Sequence, residues 1–174
     1  MAEPAELLLS EEEVAKRVRA LAEAVAARVD DDTVAVCLLT GGLWFAADLT
    51  RALHGFGRNL PFDALWLESY GDAQSTSGSV RVRAGLQRPI TGRRVLMIDE
   101  VIDSGLSLDA GRRILLEAGA SEVLSAVFAR KPWPIPRPIQ PDFVAWEAPA
   151  RFLVGYGMDV AGRHRGLPGV GALD

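Results

Sequence analysis

From Arg94 to Ser107 the chain reads RVLMIDEVIDSGLS: an apolar run, the adjacent acids Asp99 and Glu100, a third acid at Asp103, then a loop of small residues entering a helical stretch. Such a loop aims successive backbone N–H groups at an anion, and the helix dipole favours the negative charge. Ser104 and Ser107 add hydroxyl donors, and Gly105 permits close backbone approach. The segment is an anion cradle. It is not a nucleoside-triphosphate loop, because the chain has no G-x-x-x-x-G-K-[ST] motif and no lysine at the helix start. Acids beside a phosphate site repel the ligand unless they bind its hydroxyls or a Mg2+ ion, and a phosphorylated sugar with a metal supplies both. A single acid at a strand end more often caps a helix or faces solvent. The combined segment is what points to chemistry.

The elements that must position this cradle alternate between strand and helix. Ser10 with Glu13 forms a capping box, and Val14, Val18, Leu21, Val25 and Val29 follow at helical spacing. Thr33 to Leu39 is a short continuous apolar run, the pattern of a strand buried on both faces. Thr40-Gly41-Gly42 then turns the chain into a helix from Leu43 to Leu53. Further strands are expected over Phe62 to Glu68, Arg94 to Ile98 and Glu122 to Phe128, with a helix running to Ala118 and capped by Gly119. Tyr70 to Ser79 is rich in Gly, Ser and Thr and reads as a mobile loop. Prolines 132, 134, 136, 138 and 141 impose an irregular connection to short strands near Phe143 to Trp146 and Arg151 to Val154. Alternating strands and helices predict an α/β fold with a mainly parallel sheet flanked by helices, whose ligands sit beyond the carboxyl ends of the strands.

Composition sets the frame. With 174 residues, 49% of them hydrophobic, the chain can bury one substantial core, and a single domain over 1–174 is expected. A formal charge of -4 and a pI near 5.3 give no basic excess for nucleic acid or anionic lipid, so small-molecule substrates are favoured. Cys37 is the only cysteine, which excludes an intrachain disulfide framework and a cysteine-based zinc site. The start Met1-Ala2-Glu3-Pro4 lacks the features of a signal peptide, and no apolar segment is long enough to span a bilayer, so the expected location is the cytoplasm.

The acidic pair followed by D-[TS]-G-x-[TS] resembles the phosphoribosyl-diphosphate signature of type I phosphoribosyltransferases. Several further pieces, over roughly Val34 to Leu173, are similar to the hypoxanthine-guanine branch. They are LTGGLWFAADL from Leu39, Ser69-Tyr70 with the polar residues after it, Lys131, Pro141-Asp142-Phe143-Val144, FLVGYGMD from Phe152, and Arg165-Gly166-Leu167-Pro168. The resemblance implies a core over about 30–130 and a small hood over about 131–174 with part of the N-terminal region. It also implies a Mg2+-dependent purine-salvage transfer from 5-phosphoribosyl-1-diphosphate to hypoxanthine or guanine, carried out by a homodimer or homotetramer. Asp103 would be the general base or proton relay at purine N7. Ser104, Gly105, Leu106 and Ser107 would hold the 5′-phosphate, and Asp99 and Glu100 the ribose hydroxyls and metal. Thr40, Gly41 and Arg165 would bind pyrophosphate. Lys131 would donate to O6, Phe152 would stack on the ring, and the Leu153 backbone would read the opposite edge. Asp159 would line the purine side and meet a second Mg2+, with Ser69 and Tyr70 in a lid that excludes water. Two residues depart from the family: Thr40 stands where lysine is usual, and Asp99-Glu100 reverses the common Glu-Asp order. The bond before Thr40 is often cis in the family. Two other readings stay open on sequence, a sugar-diphosphate or nucleotide sensor with weak turnover, and a sister enzyme preferring xanthine or another base. Taken singly, Phe152 reads as a core aromatic, Lys131 as a solvated lysine and Asp159 as a turn former.

Overall fold

The computed structural model describes residues 6–70 and 79–173. Among these residues, nine strands and three helices follow in the order β1 (Glu6–Leu9), α1 (Glu11–Ala26), β2 (Val34–Leu39), α2 (Leu43–Gly55), β3 (Phe62–Tyr70), β4 (Ser79–Ala84), β5 (Arg94–Ile102), α3 (Leu106–Glu117), β6 (Glu122–Arg130), β7 (Phe143–Glu147), β8 (Phe152–Val154) and β9 (Val170–Leu173). The main sheet has the order β4-β3-β2-β5-β6-β7. All its pairings are parallel except the β3–β4 hairpin.

Two-sided burial explains the apolar strands. Ala35, Cys37, Leu96 and Ile98 face the core covered by α1 and α2, while Val34, Val36, Val95 and Met97 join the core under α3 with Leu108 and Leu115. The period of two thus splits each strand between the two layers. α1 begins at the expected capping box, with Glu13 N donating to Ser10 Oγ at 3.3 Å and Ser10 N donating to Glu13 Oε2 at 2.8 Å. Its apolar stripe packs on α2 and β7.

Three expectations shift. β5 runs four residues beyond Ile98, because its ladder with β6 continues through Asp99↔Val127 to Ile102↔Arg130 and carries the acidic pair inside the strand. α3 ends with Ala118 as its C-cap, and Gly119 is the residue after it, in the left-handed region at φ 93. Tyr70 and Ser79 are paired strand residues of β3 and β4, and residues 71–78, the rest of the expected lid, lie outside the described residues. Arg83 Nε on β4 donates to Glu68 Oε2 on β3 at 2.6 Å, tying the two strands together near the open end of the hairpin.

The stretch expected as hood divides in two. Phe143–Glu147 joins the edge of the main sheet as β7, whereas β8 and β9 make an antiparallel sheet with β1 from the other end of the chain, in the order β1-β9-β8. Between the hood and the core stands an aromatic cluster. The Phe128 ring lies 4.7 Å from Tyr156, 5.7 Å from Phe45 and 6.4 Å from Trp146. Edge-to-face contacts of this kind add to the burial of apolar area. Phe128→Ala is therefore expected to cost about 3–5 kcal/mol in a urea unfolding titration; a loss under about 1 kcal/mol would show that the hood is not packed through this ring.

Candidate active site

β2 and β5 lie side by side and parallel, with Val34 opposite Val95 and Cys37 opposite Ile98. β2 is followed outward to β3, and the chain then returns across β2 to β5, so the sheet's topological switch point falls between these two strands. The loops that leave their carboxyl ends, Thr40-Gly41 and Asp103 to Ser107, form opposite walls of one cleft. The cleft also receives Asp99, Glu100, Asp159 and Arg165.

On one wall the Leu39–Thr40 peptide is cis, and Thr40 is exposed at the cleft mouth. Gly42 precedes α2 without a side-chain cap, leaving backbone donors of the first turn without side-chain partners at the cap. A Cβ on Gly41 would meet the carboxylate at the end of the Glu100 side chain, so a larger residue there displaces that carboxylate. On the opposite wall Gly105 is the N-cap of α3 at φ 84, and no side chain caps the helix from that position. Ser104 Oγ accepts from Leu106 N at 3.4 Å. Ser104, Gly105 and Ser107 line the cleft, whereas Leu106 turns its side chain to solvent and can serve the cradle only through its backbone.

The acidic floor is crowded. Asp99 Oδ1 accepts the Glu100 N–H at 3.0 Å. Burial first, and the neighbouring Glu100 carboxylate second, push the Asp99 carboxyl well above the usual carboxylate range. Adjacent carboxylate oxygens of this kind are hard donors, suited to a hard divalent cation that would relieve their repulsion. Among the described residues no group of three or more His, Cys, Asp or Glu side chains converges tightly enough to hold a metal unaided.

Arg165 and Asp159 are held together by the hood. Arg165 Nη1 donates to Gly157 O at 2.6 Å, Nη2 pairs with Asp159 Oδ1 at 2.7 Å, and Gly162 N donates to Asp159 Oδ2 at 2.6 Å. Each Asp159 oxygen retains a further lone pair. Gly155, Tyr156 and Gly157 are all in the left-handed region, at φ 93, 48 and 98. A Cβ at Gly157 would overlap the Gly41 carbonyl, so this turn brings the hood directly onto the Thr40-Gly41 wall. The Tyr156 hydroxyl donates to Asp48 Oδ2 on α2 at 3.0 Å, which anchors the turn. Reasoning from sequence assigns Gly157, Tyr156 and Asp48 no role; the signal that could have found the turn is the glycine-aromatic-glycine run, which favours a left-handed conformation.

A second recess opens from the first, between the cradle and the hood, walled by Asp103, Lys131, Phe152, Leu153 and Asp159. Lys131 Nζ stands 3.1 Å from Asp103 Oδ1, and the lysine side chain is only 21% exposed, which sets aside a solvated surface lysine. That carboxylate oxygen is buried and, although the ion pair is close, it receives no well-angled hydrogen bond. Phe152 is 52% exposed, so its ring is a presented face and not a core aromatic. Trp44 and Trp146 pack against the core, in keeping with a structural role. The structure therefore brings the side chains or backbone of the expected site residues around these two recesses, except Leu106, whose side chain faces solvent, and Ser69 and Tyr70, whose side chains lie outside what is described.

Residues 6–161 match the phosphoribosyl transferase domain family. The hypoxanthine-guanine phosphoribosyltransferase of Bacillus subtilis is 36% identical over 96% of this chain and 92% of its own length. That of Aquifex aeolicus is 34% identical over 94% and 92%. Among solved structures, the hypoxanthine phosphoribosyl transferase of Trypanosoma cruzi superposes with a TM-score of 0.90 at 25% identity, covering 100% of this chain and 93% of that one.

The Asp99 carboxyl makes a prediction about the ligand-free protein. Because its folded pKa is raised, the folded state binds the extra proton, and stability falls as pH rises from the unfolded carboxylate value, about 3.9, through the raised folded value. Asp99→Asn removes that titration and can still accept the Glu100 N–H. Thermal melts should show the variant more stable than the parent at pH 8, with the gap closing towards pH 4. Parallel curves across that range would mean that the charge is not destabilising.

Proposed function

The chain belongs to the hypoxanthine-guanine phosphoribosyltransferase family, and on that premise we propose that it transfers the phosphoribosyl group of 5-phosphoribosyl-1-diphosphate to N9 of hypoxanthine or guanine, giving IMP or GMP and pyrophosphate. The observation that carries this reading is the Lys131–Asp103 pair, which stands where the phosphate cradle meets the recess walled by Phe152 and Leu153. A sugar phosphate in the cradle and a flat base in the recess would meet at that junction.

Each residue then has a physical task. The first-turn amides of α3, with Ser104 and Ser107, receive the 5′-phosphate. Thr40, Gly41 and Arg165 receive the diphosphate, the guanidinium being already oriented by Gly157 and Asp159. Phe152 stacks on the base, Lys131 donates to O6, and the Leu153 backbone reads the opposite edge. Asp103 accepts the proton from N7 as the N9–C1′ bond forms and the C1′–O bond breaks, with the electron pair leaving on pyrophosphate. Holding both reactants in one cleft turns a bimolecular encounter into an oriented one.

Asp99 and Glu100 fit a Mg2+ ion by donor type and by their uncompensated charge, with the ribose hydroxyls as further partners, and Asp159 fits a second. Bound there, the metal would neutralise charge developing on the diphosphate. The oligomer is proposed as a homodimer or homotetramer; for the Trypanosoma cruzi relative, the C-terminal region bears on oligomeric state and activity. Cytoplasmic location is proposed with it. Among the described residues no helix is long and apolar enough to cross a membrane.

The test is pyrophosphate release with Mg2+ and 5-phosphoribosyl-1-diphosphate, comparing hypoxanthine, guanine, xanthine and adenine with a no-base control. Turnover with hypoxanthine or guanine is expected; tight sugar-diphosphate binding without turnover on any base would replace the enzyme with a sensor. Asp103→Asn should lower kcat by roughly 10²-fold or more with modest change in sugar-diphosphate binding, and unchanged kcat would remove Asp103 from its role. Lys131→Ala should raise the KM for hypoxanthine while sparing the sugar diphosphate. Intact hypoxanthine affinity would move the purine pocket elsewhere.

A further inference from the structure

The run of prolines after Lys131 does more than connect β6 to β7. Its residue Arg137 reaches back over both functional loops: Nε donates to the Asp103 carbonyl at 2.6 Å, and Nη2 donates to the Lys131 carbonyl. One planar guanidinium thus holds the main chain of the two residues whose side chains form the ion pair at the centre of the site. Lys131 N also donates to Ile102 O at 3.2 Å, so the two strand ends are already adjacent and Arg137 fixes their final offset.

Three features suit the side chain to that task. Pro136 and Pro138 flank it, locking the neighbouring φ angles and confining Arg137 itself to an extended backbone. Ile139 is buried in the core under α3, so the segment is anchored two residues beyond the arginine. Arg137 Cβ and Ile139 Cγ2 both lie 3.5 Å from where a Cβ on Gly105 would stand, which places the segment against the first turn of α3. The peptide plane adds a consequence. The Asp103 carbonyl and the Ser104 N–H belong to one planar unit and point in opposite directions, so holding the oxygen on Arg137 aims the first amide of the cradle away from the proline segment.

We propose that Arg137 is a positioning residue that sets the orientation of the Asp103–Ser104 peptide relative to Lys131, and through it both the 5′-phosphate cradle and the placement of the proton acceptor against the base. The proposal rests on the transferase reading of the site. Arg137 lines neither the cleft nor the recess; it acts through two carbonyl oxygens. The pyrophosphate wall, made by Thr40, Gly41 and Arg165, is outside its reach.

That division defines the experiment. In Arg137→Ala, ribose 5-phosphate and IMP should bind about tenfold or more weakly and kcat should fall about 10–100-fold, the scale of a small misplacement of reacting groups. The inhibition constant for pyrophosphate should stay within about threefold. Added guanidinium should restore part of kcat. Arg137→Lys, a point charge in place of a fork, should fall between the two, and it decides the matter if the alanine variant fails to melt cooperatively. Ribose 5-phosphate binding and kcat equal to the parent would overturn the proposal. So would a loss that guanidinium does not relieve and that pyrophosphate binding shares in equal measure, since that is the mark of a generally loosened fold. A parent protein without turnover would instead defeat the transferase reading, and ribose 5-phosphate binding would still decide the part played by Arg137.

Discussion

Between β2 and β5 the backbone ladder aligns Val34 with Val95 and Cys37 with Ile98, so both strands leave the sheet at the same level. Everything in the cleft depends on that alignment. It sets the Thr40-Gly41 turn beside the Asp99-Glu100 pair so closely that a Cβ on Gly41 would displace the Glu100 carboxylate. A slip of one residue would turn Cys37 and Ile98 from one core layer to the other and carry the acids to the wrong side of the sheet. The two-sided burial that makes these strands apolar is therefore also what fixes the chemistry at their ends.

The cleft so formed is short of positive charge. Its walls carry Asp99, Glu100, Asp103 and Asp159, while its cation, Arg165, is bonded to one of those acids. Thr40 adds a hydroxyl where the family usually has a lysine. The repulsion appears in the raised Asp99 carboxyl, for which burial is the larger cause. Electrostatic strength in such a site comes from donors fixed in advance: the uncapped starts of α2 and α3, and a guanidinium held in place by Gly157.

Most of the architecture was legible in the sequence, because its signals are local. The capping box at Ser10, the apolar run ending at Leu39 and the small-residue loop after Asp103 each announce an element within a few positions. What escaped is non-local. The hood strands Glu6–Leu9 and Val170–Leu173 are four residues each, too short to carry a period, and they pair across the whole length of the chain. β5 outran its expected end because the neighbouring strand kept supplying partners. The site residues were named from the acidic signature and family likeness, but the supports beneath them, Tyr156 on Asp48 and Arg137 on two carbonyls, join distant positions through side chains that look ordinary in isolation.

The pairing of β1 with β9 also orders events in time. The six-stranded sheet, the cradle and the Lys131–Asp103 pair are all made from residues up to Glu147. On a ribosome, a chain elongated only that far already holds the parts of the anion cradle. Phe152, Arg165 and the strand that closes the hood have yet to emerge. Closing the loop from Glu6 to Ala172 is entropically costly and comes only when β9 is available. The hood sheet is thus completed last, and until then the core cluster that includes Leu9 and Leu153 lacks Val170, a window in which the nascent protein depends on rapid completion or on chaperones.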